Sequence, residues 1–85
     1  MARQYTQKVD NGKFYFKDSG KTILHRVNGP AKEWDDGSSV WYRNGLHHRV
    51  DGPAVDMVDV YKKWWVNGIF IFAIDEEGNI VSRMK

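Results

Sequence analysis

Residues 25–45 read HRVNGPAKEWDDGSSVWYRNG and residues 48–68 read HRVDGPAVDMVDVYKKWWVNG. Offset by 23, ten of these twenty-one positions are identical: His, Arg, Val, Gly, Pro, Ala, Asp, Trp, Asn and Gly. Chance does not deliver a match that includes Trp, Pro and two Gly. A chain that repeats so short a unit must build one small piece of structure twice and lay the copies side by side.

The shared residues fall where a β-meander turns. Asn44-Gly45 and Asn67-Gly68 suit a two-residue type I′ turn, in which both residues take φ > 0, and they follow the strand-like stretches Ser38–Arg43 and Tyr61–Val66. A second turn is written Asn28-Gly29-Pro30 and Asp51-Gly52-Pro53. There an Asx side chain can bond its own backbone, Gly accepts unusual angles, and Pro opens the next strand, where a missing N–H is tolerated. Asp36-Gly37 closes the hairpin inside the first unit. Its counterpart is Asp59-Val60, and because a β-branched residue resists positive φ, that turn is expected to be longer or of another type. No apolar stripe of period 3.6 with caps is present. The expectation is a single all-β domain, an antiparallel meander of about eight short strands.

The chain divides into an N-terminal hairpin cap (1–24), a first unit (25–47), a second unit (48–70) and C-terminal cap strands (71–85). Asn11-Gly12, between Tyr5–Val9 and Lys13–Lys17, predicts the first hairpin, and Asp18-Ser19-Gly20 turns the chain into a strand over Thr22–Arg26. At the other end Ile71-Phe72 takes the place of His48-Arg49, and Glu76-Glu77-Gly78-Asn79 leads into a last strand, Asn79–Arg83. The strand Ile69–Ile74 is apolar on both sides, so it is expected either in the core or at an interface.

Size limits what holds such a fold together. A chain of 85 residues buries only about 60% of its unfolded surface. With no cysteine, disulfides, thiolate metal sites and cysteine nucleophiles are excluded, which fits a reducing compartment. Four Trp, four Tyr and four Phe are the substitute, each able to bury ~150–250 Å². Thirteen basic and eleven acidic residues are well mixed, so the chain lacks the dense basic field of a protein that lives on phosphate contacts. There is no apolar leader and no apolar run near the ~20 residues of a membrane span. The expectation is a cytoplasmic protein without membrane contact.

His25-Arg26, His48-Arg49 and the adjacent His47 invite a catalytic or metal reading. No His-x-x-x-His or His-Glu spacing supports it. The expected role is structural: each His packs on a Trp of a neighbouring strand, and each Arg stacks on an aromatic ring or pairs with Asp51 or Asp36. Asp56, Asp59, Asp75, Glu76 and Glu77 read as solvated surface, and the Asp75–Asn79 segment lacks the ligand spacing of an EF-hand. No phosphate loop, dinucleotide fingerprint or nucleophile elbow occurs. The chain is therefore expected to be no enzyme and to need no metal or cofactor. Trp41 and Trp64 share one position and are expected in the core, which places Tyr42 and Trp65 on the opposite face. With Arg43, Lys62 and Lys63, these two form the expected partner-binding patch, suited to a protein hot spot or a stacked base.

The combination His-Arg-x-Asp/Asn-Gly-Pro-Ala followed by Trp-aromatic-x-Asn-Gly resembles MORN-variant-like repeats of small tailed-phage and bacterial proteins. It is carried by His25, Arg26, Gly29, Pro30, Trp41, Asn44 and Gly45, and again by His48, Arg49, Gly52, Pro53, Trp64, Asn67 and Gly68. The resemblance covers roughly residues 23–70. It implies hairpins stacked along an axis and used as a scaffold, which with two full units is a compact sheet or small sandwich as readily as an extended ribbon, and contact with lipid or protein has been proposed for some MORN proteins. The phage association implies an accessory protein that disables a host or bacterial-defence factor from within the host cytoplasm. The expected function is accordingly a non-enzymatic protein-binding module that occludes its partner. The alternatives are a single-stranded nucleic-acid binder that stacks bases on its aromatics, and a self-assembling structural protein. A sheet edge offers a route to a homodimer.

Overall fold

A computed structural model describes residues 4–83 of the chain. Among these residues there is no helix. The strands are β1 (Tyr5–Val9), β2 (Gly12–Phe16), β3 (Lys32–Trp34), β4 (Ser39–Val40), β5 (Tyr42–Arg43), β6 (Leu46–His47), β7 (Val55–Met57), β8 (Tyr61–Val66), β9 (Ile69–Asp75) and β10 (Ile80–Arg83). Eight of them form one antiparallel sheet in the order β1-β2-β3-β4-β7-β8-β9-β10, and β5 pairs with β6. The order is that of a meander interrupted once, by the β5–β6 hairpin.

Both Asn-Gly turns have the expected form. Asn44 and Gly45 take φ 52° and 81°, and Asn67 and Gly68 take 50° and 79°, so each is a two-residue loop with both residues left-handed. The first hairpin differs from expectation by one residue. Val9 pairs with Gly12, so Asp10-Asn11 makes the turn and Asn11 takes the positive φ of 64°. Gly12 lies in β2 because β3 comes too close for a side chain: a Cβ there would sit 2.6 Å from the Glu33 carbonyl oxygen. The inner turns of the two units also differ. Gly37 carries the positive φ (94°) in the first, whereas Asp59 (62°) carries it in the second. Val60 is thereby spared, and the turn changes type without lengthening, since Gly37 N donates to Trp34 O and Val60 N to Met57 O.

The predicted strand Ser38–Arg43 is broken at Trp41. Its N–H donates to Ala54 O (2.6 Å) and its carbonyl accepts from His48 N (3.1 Å), so the chain leaves β7 and joins the β5–β6 pair at this residue. The matched position in the second unit is irregular too: the register of β8 against β9 shifts between Trp64 and Trp65. The predicted strand Thr22–Arg26 is a correction. Only a bridge, Phe16 to Leu24, pairs there, and neither His25-Arg26 nor His48-Arg49 lies in a strand, because these pairs begin compact loops described below.

The buried apolar residues are Phe16, Ala31, Val40, Ala54, Val55 and Ala73. Trp41 and Trp64, expected in the core, are only half-buried, because the small β5–β6 pair is too short to close over the eight-stranded sheet as a full second layer. β9 lies between β8 and β10 and is largely shielded, while β10 is an edge strand exposed along its whole length. The last hairpin turns through Asp75–Gly78, with Gly78 N donating to Asp75 O and Asp75 N to Asn79 O.

Candidate functional site

One face of the sheet is built from arginine loops. The Arg26 guanidinium lies 3.9 Å over the Tyr15 ring, and Arg49 lies 4.1 Å over Trp41. Each donates from Nη1 to the carbonyl four residues on, Arg26 to Pro30 and Arg49 to Pro53, both at 3.2 Å. Each also fills the space above the glycine between. A Cβ on Gly29 or Gly52 would stand 3.0 Å or 2.8 Å from the guanidinium carbon. These glycines are needed for close approach, not for an unusual φ, and no Asx side chain bonds its own turn there. Asp51 instead accepts from Arg49 Nε at 2.9 Å, and Glu33 contacts Arg26 at 3.4 Å. Ala31 and Ala54 complete the loops: fully buried, they accept from Tyr15 N and Trp41 N. Where the next arginine would fall stands Phe72, stacked on Trp64 at 4.3 Å and 10°.

The histidines divide into two kinds. His25 Nδ1 accepts from Asn44 N (2.8 Å), and His48 Nδ1 accepts from Asn67 N (2.9 Å). Each thus caps the Asn-Gly turn of its own unit, and neither packs on a Trp as expected. His47 does: its ring lies 5.0 Å from Trp65, stacked at 27°. Burial, then Lys17 and Arg43, hold His25 below the ordinary histidine value. Burial, then Lys32 and Lys63, do the same for His47.

The opposite face carries a file of rings. Trp34 meets Phe14 edge-on at 5.7 Å, Tyr42 meets His47 at 4.6 Å, and His47 continues to Trp65 and Phe70. Lys32 joins the two segments, its Nζ 5.0 Å from the Phe14 ring and 5.5 Å from Tyr42. Lys63 lies on the same face, 4.6 Å from the Tyr61 ring. The Tyr42, His47 and Trp65 rings lean on one another, so their faces are shared. The Trp65 indole N–H is buried with no partner.

Of the predicted partner-binding residues, the structure brings together Tyr42, Trp65 and Lys63. It separates Lys62, which alternates to the other face and pairs with Asp56 at 2.8 Å, and Arg43, which lines a cleft with Trp41 and Arg49. Sequence reasoning missed Phe14, Lys32, Trp34, His47 and Phe70 as members of the ring file. Their only sequence signal was parity: Phe14, Lys32 and Val40 fall opposite one another once the register is known, and register cannot be counted across the loop from 17 to 31.

Among the described residues, no group of three or more His, Asp or Glu could hold a metal ion, and no helix is long and apolar enough to cross a membrane. No family model matches the chain, and neither the curated proteins nor the solved structures contain a match.

Proposed function

We propose that the chain is a binding protein whose ring-bearing face grips another protein. The observation that carries this reading is the file Trp34, Phe14, Tyr42, His47, Trp65 and Phe70, threaded by Lys32 and Lys63 and only half-buried. Aromatic side chains held rigid on a sheet are what protein hot spots are made of. A base-stacking platform needs open ring faces, and here the faces are taken by neighbouring rings. That favours a protein over single-stranded nucleic acid. Steric occlusion of the partner is the mode of action, the form expected of a phage-encoded inhibitor of a host or defence protein.

The test is affinity capture from the lysate of the source cells with the wild-type chain and with the double variant Lys32→Glu, Lys63→Glu. One stoichiometric protein retained by the former and lost by the latter is expected. Recovery of nucleic acid alone, released as salt rises, would replace this reading with the nucleic-acid one.

A second reading, self-association, is favoured by a separate observation. β10 offers an unpaired edge with Ile80 and Val81 about 60% exposed. Its acidic end, at Glu76-Glu77, and its basic end, at Arg83, match in antiparallel order with a second copy.

A further inference from the structure

The cleft between the two arginine loops has a composition that nothing in the binding role uses. It holds about 120 Å³ and is lined by Arg26, Val27, Trp41, Arg43, His48, Arg49, Val50 and Asp51. At ~30 Å³ of liquid per water, that is the room of a few water molecules. Three guanidinium groups face it; Arg49 is paired with Asp51 in the lining and Arg26 with Glu33 outside it, which leaves the charge of Arg43 unmatched among the described residues.

The lining groups are held as donors. Arg26 and Arg49 each spend Nη1 on a proline carbonyl and are fixed flat against a ring, so their orientation is set before any ligand arrives. Arg43 makes no hydrogen bond or ion pair within the described residues. His48 accepts at Nδ1 from Asn67 N, so its neutral ring carries the proton on Nε2 and can only donate from there. Arg43 alone of the three lacks a carboxylate partner among the described residues, and an anion able to take several N–H donors at once would supply the counter-charge.

We propose that this cleft is an oxyanion site that takes a dianionic phosphate group, with Arg43, Arg49, Arg26 and His48 as its donors. A dianion takes more of these charge-assisted donors than a singly charged diester and is favoured over it. The planar forks of arginine fit tetrahedral oxygens in pairs. The site lies on the face opposite the ring file, so it stands or falls independently of the protein-binding role. Free phosphate and a phosphate monoester are the two sources, and they share the chemistry.

The experiment follows amide and side-chain resonances of the full chain by NMR at low ionic strength and pH 7.5. The probes are inorganic phosphate, phenyl phosphate and dimethyl phosphate, with chloride as the background anion. Saturable shifts centred on Trp41, Arg43, His48 and Arg49 are expected with at least one of the first two, and which of them binds tells the source. Dimethyl phosphate is expected to bind at least tenfold more weakly. Arg43→Gln, which breaks no bond of the fold, should weaken phosphate at least tenfold, while Lys8→Gln on the remote edge strand should leave it unchanged. Shifts no larger than those of chloride, equal binding of the diester, or equal loss in both variants would each overturn the proposal.

Discussion

The Arg49 guanidinium occupies the volume that a side chain at position 52 would need, and the glycine there does not take a positive φ. Gly52→Ala is therefore a steric change, not a backbone one, and is expected to cost about 1–3 kcal/mol, as overpacking does. Urea midpoints would show it. In an Arg49→Ala background the same change should cost much less, because the obstructing group is gone. The imidazoles respond to acid. His25 and His47 both sit below the ordinary histidine value when folded, so between that lowered value and the unfolded one the unfolded chain holds more protons. Stability is fully present above about pH 6.5 and is lost as pH falls through the folded values. His25→Gln should flatten part of that slope in urea melts run from neutral to mildly acidic pH. At this scale the arginine role was legible, since a guanidinium beside repeated aromatics has few better places to go. The histidine role was not, because accepting a turn amide nineteen residues away leaves no mark in local spacing.

Asn-Gly pairs fixed two of the hairpins to the residue, because only a few residue types tolerate two successive left-handed positions. They did not fix the first, where the glycine answers to a neighbouring strand and not to the turn. Nor could alternation foresee that a strand would change partners at Trp41 or shift register after Trp64. Lys62 and Arg43, by contrast, leave the predicted patch by simple alternation with their neighbours Lys63 and Tyr42. The edge strands contrast. β1 shows Thr6, Gln7 and Lys8 to solvent, a polar edge that discourages pairing, whereas β10 shows Ile80 and Val81. Self-association through β10 predicts a sedimentation coefficient that rises with protein concentration. Val81→Lys should hold the chain monomeric at every concentration. Unchanged behaviour in that variant would move the contact elsewhere.

With a radius of gyration of 13.2 Å and extents of 39 × 27 × 18 Å, the molecule is more drawn out than the ~12 Å expected of a compact chain of this length. An eight-stranded sheet with only the small β5–β6 pair beside it explains it: each side chain has neighbours beside it but few above it. No large side chain is fully enclosed among the described residues. The fold class was legible because turn chemistry repeats along the chain. Depth of burial was not, because apolar content alone does not say whether a sheet will find a second layer. Phe16, the largest of the buried residues at 7% exposure, joins the first hairpin to the bridge at Leu24. Phe16→Ala is expected to cost about 3–5 kcal/mol, enough to unfold so small a domain, read as loss of amide dispersion in NMR.

Each arginine loop is held by a planar cation lying on a ring while it donates to a carbonyl, and the ion of guanidinium chloride can offer the same two contacts from solution. That denaturant should therefore act on this chain as a competitor as well as a solvent. Its slope is ordinarily roughly twice that of urea. Here its midpoint should fall below half the urea midpoint, and the loops at 26–31 and 49–54 should exchange their amides before the rest of the sheet lets go.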